Sequence, residues 1–377
     1  MTDLDLAPAP NPAIPDLLYT EIEGEVRDGV KNVLDKRSTW PATLERTESD
    51  TTTDTDLWQS LAVDVGLAGL AIDESAGGAG ASWREVAVVL EELGRRSAAV
   101  PFLGHAVTAT ALLAAVEAQE LLARAASGET VFAVAVPVTT TAWTPVSTSL
   151  TVASGRISGS VRSVSDAASA DVLLVPVGDD LYSIAAADAA VTPVVSLDMT
   201  RQLVDIDFDS AAAELVGSGA EAALRHALVV SAALLASEQL GLAEEALEIT
   251  VEYLKERRQF GRVLGSYQAL KHRLADLWVE ITNARAVARY AAASAAEGSE
   301  DLEVASSLAH SVCSRIAVEA AEECVQLHGG IGFTWEHPAH LLLKRAKASS
   351  SMFGGTDHHR EHLGVLVGMT ARAEESR

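Results

Sequence analysis

At 377 residues, with 48% hydrophobic and 21% charged side chains, the chain is long enough for more than one packed layer and too apolar for wholesale disorder. A formal net charge of −25 sets most of the surface against a phosphate backbone, which argues against nucleic acid as a partner and makes each local basic cluster informative. The two cysteines, Cys313 and Cys324, fall on one expected helix too far apart to bridge, which suits a reducing cytoplasm.

The N-terminal MTDLDLAPAPNPAIPDLL is acidic and Pro-rich, without the basic and apolar regions of a signal peptide. From Tyr19 to about Ala125, apolar residues recur every three or four positions, as in WQSLAVDVGLAGLAI and WREVAVVLEELGRR, which predicts a helical domain over residues 1–125. Within it, TESDTTTDTD is a polar connection ending in a helix-capping Asp56, and DESAGGAGASW, with Gly77, Gly78 and Gly80, is a loop. Residues 126–218 change character: VFAVAVPV, TSLTVASGRISGSV, DVLLVPVG, LYSIAAA and RQLVDIDF are short runs of strand type separated by Gly, Asp and Pro, a small β domain. Helical spacing returns after Gly219, and residues 219–377 read as a four-helix bundle whose last helix spans His337 to Ala348. The fold class is α+β. No run of eighteen uninterrupted apolar residues occurs; Ala227–Ala236 comes nearest, so no membrane insertion is expected.

Two constellations stand out. ERRQFGRVLGSYQALKHRLAD sets Arg257, Phe260, Gly261 and Gln268 around a turn between two long helices, where a guanidinium and backbone donors can meet a phosphate. Alone it is equally an exposed basic helix end with a glycine turn. QLHGGIGFTWEHPAHLLLKRAK sets Gln326, Gly329, Gly330 and Gly332 at a helix end, where the backbone can approach a ligand closely; alone it is a helix cap followed by a turn.

Together they resemble the C-terminal domain of the acyl-CoA dehydrogenases, with its R-x-x-F-G…Q and Q-x-x-G-G-x-G patterns. GLAGLAIDESAGGAG…EELGRR resembles that family's N-terminal block, with Asp73 where proline is usual. The resemblance covers residues 57 to 365. It implies an N-terminal helical domain, a middle β domain and a C-terminal helical bundle. It also implies FAD bound between subunits, an acyl-CoA substrate and an electron-transfer flavoprotein as acceptor. Arg257, Phe260 and Gln268 would hold the pyrophosphate and adenosine half of a neighbour's FAD, with Gln326, Gly329, Gly330 and Gly332 completing the grip.

The same resemblance exposes a gap. Family chemistry removes an α-proton with a glutamate while hydride leaves for the flavin. The position for that glutamate, in MFGGTDHHREHLG, is Gly354; the alternative position on the first bundle helix falls near Ser231. Glu238, farther along that helix, and Asp357, after the G-T pair, are the remaining candidates; the bland readings are a structural contact and a helix N-cap. The flavin-embracing loop is represented by Ala135, Val136, Pro137 and Val138, and the flavin-contacting strand by Ser163, Val164 and Ser165, of which only Pro137 and Ser165 fit. A grip on a partner's FAD that is kept, beside a base and ring pocket that are lost, implies the base-lacking member of a pair of homologous subunits. Such pairs often act on CoA thioesters of bulky sterol side chains. The alternatives are a homo-oligomer using Glu238 or Asp357, a flavoenzyme of this fold with another reaction, and a non-enzymatic acyl-CoA-binding scaffold. His358, His359 and His362 form only one i, i+3 pair without a third ligand, so they read as a solvated helix start and no metal is expected.

Overall fold

The computed structural model describes residues 16–49, 51–144 and 149–369, so the signal-peptide reading of residues 1–15 lies outside the described residues. Helix α1 (Glu21–Arg37) starts at a capping box in which Thr20 and Glu23 satisfy each other's backbone N–H. The Glu23 carboxylate is buried and also accepts from Arg84 and Arg289, bolting α1 to two later helices. After α2 (Trp40–Thr47), the polar connection ends in α3 (Thr55–Trp58), capped by Asp54 rather than the expected Asp56: the Asp54 carboxylate accepts from Leu57 N at 3.0 Å. The expected continuous helix from Trp58 is interrupted. It continues as a π-helical turn over Gln59–Asp64 and a 3₁₀ turn over Leu67–Gly69. Gly69 lies against the Ala126 carbonyl, 2.8 Å from where a Cβ would stand, which leaves no room for a regular side-chain-bearing helix there. Helices α4 (Trp83–Arg96), α5 (Thr110–Ala115) and α6 (Gln119–Ala126) complete this part, with a second π-helical turn over Leu103–Ala109 leading into α5.

Eight strands follow: β1 (Phe132–Val134), β2 (Thr151–Ala153), β3 (Arg156–Ser165), β4 (Val172–Val177), β5 (Asp180–Ala185), β6 (Ala190–Val194), β7 (Leu203–Ala212) and β8 (Glu214–Ser218). They make two four-stranded sheets, β1-β4-β5-β8 and β2-β3-β7-β6, antiparallel except for the β1–β4 pair. Strand alternation assigns the faces. Ala133, Leu173 and Val175 join Ile157, Val164, Ile206 and Phe208 in a core between the sheets, while Phe132, Val134, Val172 and Leu174 point the other way into the helical core. Strands β6 and β8 lie at sheet edges, and β6 carries Pro193, tolerated there because an edge has spare N–H positions.

The C-terminal part holds α7 (Ala220–Glu256), a short hairpin of β9 (Arg258–Gln259) and β10 (Arg262–Val263), then α8 (Gln268–Glu297), α9 (Leu302–His328), α10 (Ala339–Ser349) and α11 (Thr356–Leu366). A fifth helix, α11, thus joins the four expected. Helix α7 is long and apolar enough to cross a membrane, but 94% of its most apolar window is buried inside the fold, the pattern of a core helix. It crosses α4 backbone to backbone: a Cβ on Gly94 would stand 2.0 Å from the Glu238 carbonyl, and one on Gly241 1.8 Å from the Glu91 carbonyl. Cys313 and Cys324 are buried free thiols.

Candidate functional site

Arg257 ends α7 in extended conformation, its N–H donating to the Tyr253 carbonyl at 2.9 Å. The chain then reverses through Phe260 (φ 51°) and Gly261 (φ 80°), which leaves the Phe260 ring 89% exposed at the hairpin tip. Opposite, α9 stops at Gly329, whose φ of 64° and ψ of −139° suit only glycine without strain. Between the two ends lies a cleft of ≈ 650 Å³ lined by Arg257, Phe260, Gln326, Gly329 and Gly330, with Tyr253 and Arg273. The structure therefore brings five of the seven cofactor-binding candidates together. Gln268 opens α8 as an exposed residue outside the cleft lining. Gly332 is buried beneath the Val325 carbonyl, 2.6 Å from where a Cβ would stand, so helix-end packing accounts for its being glycine.

The cleft suits one end of a dinucleotide. Its volume falls within the roughly 300–1,000 Å³ of small-molecule sites. Lys255 and Arg273 are paired with Glu252 and Glu323, whereas Arg257 pairs with no carboxylate among the described residues and keeps its guanidinium for an anion. Gly330 leaves open space above the backbone. Ile331, Phe333 and Trp335 are exposed beside it, Phe333 by 82%, and form an apolar surface.

The other half of the expected site is packed shut. Gly354 is buried at φ 106°, and a Cβ on it would stand 2.8 Å from Thr141 Cγ2 and 3.5 Å from His359 Nε2. Val138 is stitched between its neighbours: its N–H donates to the Ser163 carbonyl, and its carbonyl accepts from Phe353 N, both at 2.9 Å. The flavin-loop segment and the base position thus close on each other. Ser231 is fully buried, its hydroxyl bonded to Thr108 Oγ1 (2.8 Å) and the Ala227 carbonyl (2.7 Å). Ser165 is half-buried in β3, paired with Leu203. The spaces left near Gly354 measure ≈ 180 and ≈ 10 Å³, small for a ring system with a thioester beside it.

Both remaining carboxylates have other surroundings to account for them. Glu238 is buried with Oε2 2.6 Å from an Arg201 guanidinium nitrogen and Oε1 3.0 Å from Arg345 Nε. Burial pushes its pKa up, but the two guanidinium groups overcome that and hold it below the usual carboxylate range. Both oxygens are occupied by structural partners. Asp198 also pairs with Arg345, at 3.2 Å, and Asp166 lies 3.9 Å from Arg201. Three acids and two arginines thus tie the β part to α7 and α10. Asp357 stands fully in solvent in the first turn of α11, 3.6 Å from Arg360; Gly355, not Asp357, holds the cap position.

Of the three histidines, His358 is exposed at the helix start as expected, whereas His359 and His362 turn inward. His359 is buried and stacked on His310 (ring centroids 4.0 Å), with Nε2 3.2 Å from the Phe353 carbonyl. Burial, then neighbouring histidines, holds His359 down to about 2, and burial holds His310 to about 4, so both rings stay neutral. His362 stacks on Trp143 at 4.1 Å. Among the described residues no three His, Cys, Asp or Glu side chains converge as metal ligands. The sequence offered no signal for Trp143 or Arg201; Arg345 had one, a cation inside the apolar run LLLKRAK.

Residues 20–129 match the acyl-CoA dehydrogenase N-terminal domain and residues 217–365 the acyl-CoA dehydrogenase C-terminal domain. The chain is 34% identical over 330 residues to acyl-CoA dehydrogenase IpdE2 of Mycolicibacterium smegmatis, covering 87% of this chain and 93% of that protein. The chain belongs to the acyl-CoA dehydrogenase family. It is thereby an oxidoreductase of acyl-CoA chemistry in a family of flavoproteins. Among solved acyl-CoA dehydrogenases, a variant of the Tcur3481-Tcur3483 steroid ACAD superposes with a TM-score of 0.81 at 30% identity, covering 93% of this chain and 98% of that one. The ChsE4-ChsE5 complex from Mycobacterium tuberculosis superposes at 0.84 and 27% identity, covering 95% and 100%. As an acyl-CoA dehydrogenase, this chain is lopsided: open and cationic at the hairpin cleft, tightly packed around Gly354.

Proposed function

We propose that this chain is the base-lacking subunit of a hetero-oligomeric, FAD-dependent acyl-CoA dehydrogenase. The observation that carries the reading is the contrast between the cleft at Arg257 and the closed pocket at Gly354. Arg257, Phe260, Gln326, Gly329 and Gly330 would hold the pyrophosphate and adenosine end of FAD whose ring lies in a homologous partner subunit, with Gln268 and Gly332 supporting the two helix ends. When bound, FAD supplies the hydride acceptor. The guanidinium of Arg257 neutralises pyrophosphate charge, the glycine backbone allows close approach, and the Phe260 ring covers the adenosine half.

The α-proton then has to leave to a carboxylate of the partner, since a general base must lie within hydrogen-bond reach of the proton it takes. Glu238 is held by two arginines and Asp357 faces solvent. The resemblance to steroid enzymes supports a CoA thioester with a bulky sterol-type side chain as substrate, and family membership supports an electron-transfer flavoprotein as acceptor. We assign residues 1–125 to the helical domain, 126–218 to the β domain and 219–377 to the bundle, and we place the complex in the cytoplasm.

The test is flavin absorbance near ~450 nm of the chain purified alone and co-purified with a homologous subunit, followed by bleaching with acyl-CoA. Yellow, bleachable protein only in the pair is the expected result. Yellow, bleachable protein from this chain alone would assign it its own base, and colourless protein in both cases would make it a scaffold.

A further inference from the structure

Two cavities flank one indole. The outer one, ≈ 180 Å³, opens between the start of α7 and the loop around Gly178, and has Arg225 and Thr141 in its wall. The inner one, ≈ 10 Å³, is walled by Ser307, His359 and Glu303, next to Phe353 and the Gly354 turn. Ala142, Trp143 and Leu228 belong to both walls. The Trp143 ring is wedged there by two imidazoles, stacked on His362 with 13° between planes and edge-on to His359 at 4.9 Å. Burial lowers the His362 pKa, Glu303 opposes this and Arg225 adds to it, so the ring senses charge from both the inner wall and the mouth.

We propose that Trp143 is a plug: it divides a single channel, running from an anion-accepting mouth at Arg225 to the chamber beside Gly354, and so keeps CoA thioesters out of this chain's own half-site. The inference rests on the base-lacking reading, and it explains how a subunit without a base avoids sequestering substrate. A bulky ring between α7 and α11 does with volume what the lost glutamate does with chemistry. An indole occupies roughly the space that a thioester and its adjoining methylenes need, and its packing on His362 and His359 holds the closed arrangement. The mouth is mixed in charge, since Glu221 lies one helical turn before Arg225, so the guanidinium selects a phosphate-bearing ligand only once the channel behind it is free.

The experiment is calorimetric titration of the isolated chain with acetyl-CoA, which needs neither flavin nor partner and so fails separately from the subunit assignment. Trp143→Ala should tighten binding at least about tenfold over the unsubstituted chain, because a ligand's apparent affinity scales with the open fraction. Trp143→Phe should stay near the unsubstituted value, and His362→Ala, which removes the stacking partner and leaves the indole in place, should give a smaller gain. Should the alanine variant not fold, as its melting curve would reveal, His362→Ala carries the test. Adding Arg225→Glu to the tighter variant should abolish the gain. Equal binding by the unsubstituted chain and both opened variants would overturn the proposal, as would a gain that survives Arg225→Glu.

Discussion

Gly354 and Thr141 approach so closely that no side chain fits between them: a Cβ on Gly354 would stand 2.8 Å from the Thr141 methyl carbon, on a backbone already at φ 106°. The glycine here is therefore matched by tight packing around it, with Phe353 N donating to the Val138 carbonyl beside it. Gly354→Glu should restore no dehydrogenation in the isolated chain and should cost on the order of 3 kcal/mol, from left-handed backbone strain plus overpacking. Urea unfolding reads the stability, and acyl-CoA-dependent dye reduction reads the activity; a stable variant with activity would show that the pocket opens readily.

Glu238 answers to a different constraint. With Arg201 and Arg345 on its two oxygens inside the protein, Glu238→Gln should destabilise by roughly 3–5 kcal/mol, because two buried cations lose their shared anion. In the assembled enzyme, any fall in turnover should track the loss of folded protein seen by circular dichroism, with the pH profile of the remaining activity unmoved. A profile shifted by Glu238→Gln at full folding would return Glu238 to the list of bases.

Acid stability should report on Glu23. Burial raises its pKa, but hydrogen bonds from Arg84, Thr20 and Arg289 outweigh this and bring it from 4.5 to about 2. The folded value lies below the unfolded one, so its contribution is complete above about 4.5 and drains away as pH falls toward about 2. Glu23→Gln should lower the urea midpoint at neutral pH and flatten its fall across that acid window. An acid limb of unchanged slope would mean that other carboxylates govern it.

The close crossing of α4 and α7 depends on two glycines that the sequence displays openly, in EELGRR and QLGLAEE. Gly241→Ala drives a methyl into the Glu91 carbonyl, 1.8 Å away, so backbone must move. The expected loss is about 2–4 kcal/mol, with the helix propensity of alanine returning up to about 1. Thermal denaturation checks this, and a more stable variant would show that the helices can part without cost.

The helical and strand segments were legible because periodicity is a local property: α7, α8 and α9 follow their apolar spacing, and β3, β4 and β7 their β-branched runs. Three things were not. The π-helical turns at Gln59 and Leu103 have the composition of ordinary helix, and only the approach of Gly69 to Ala126 and of Gly104 to Asp166, 2.7 Å from where a Cβ would stand, reveals the crowding around them. Strands β6 and β8 are short, exposed edges with little apolar alternation. The Arg201–Glu238–Arg345 network joins residues far apart in the chain, and no window of sequence contains two of its members. At the site, the motifs predicted what meets at the cleft, since helix ends and glycines are local. They could not predict that Thr141 packs against Gly354 or that Trp143 stacks on His362.

The hairpin cleft yields the last prediction. Arg257 is the cleft's one cation without a carboxylate partner among the described residues, whereas Arg273 is held 2.5 Å from Glu323. In the assembled pair, Arg257→Ala should remove a charge-assisted phosphate contact of roughly 1.5–3 kcal/mol and so raise the flavin dissociation constant by about tenfold or more. Arg257→Lys should recover part of that, because an ammonium keeps the charge and loses the fork geometry. Gln268→Ala should have a smaller effect, because Gln268 opens α8 outside the cleft lining. Flavin absorbance before and after dialysis measures all three, with size-exclusion elution confirming that the pair stays assembled. If Arg257→Ala retains its flavin while Gln268→Ala releases it, the cofactor lies across the start of α8 and not in the cleft between the two helix ends.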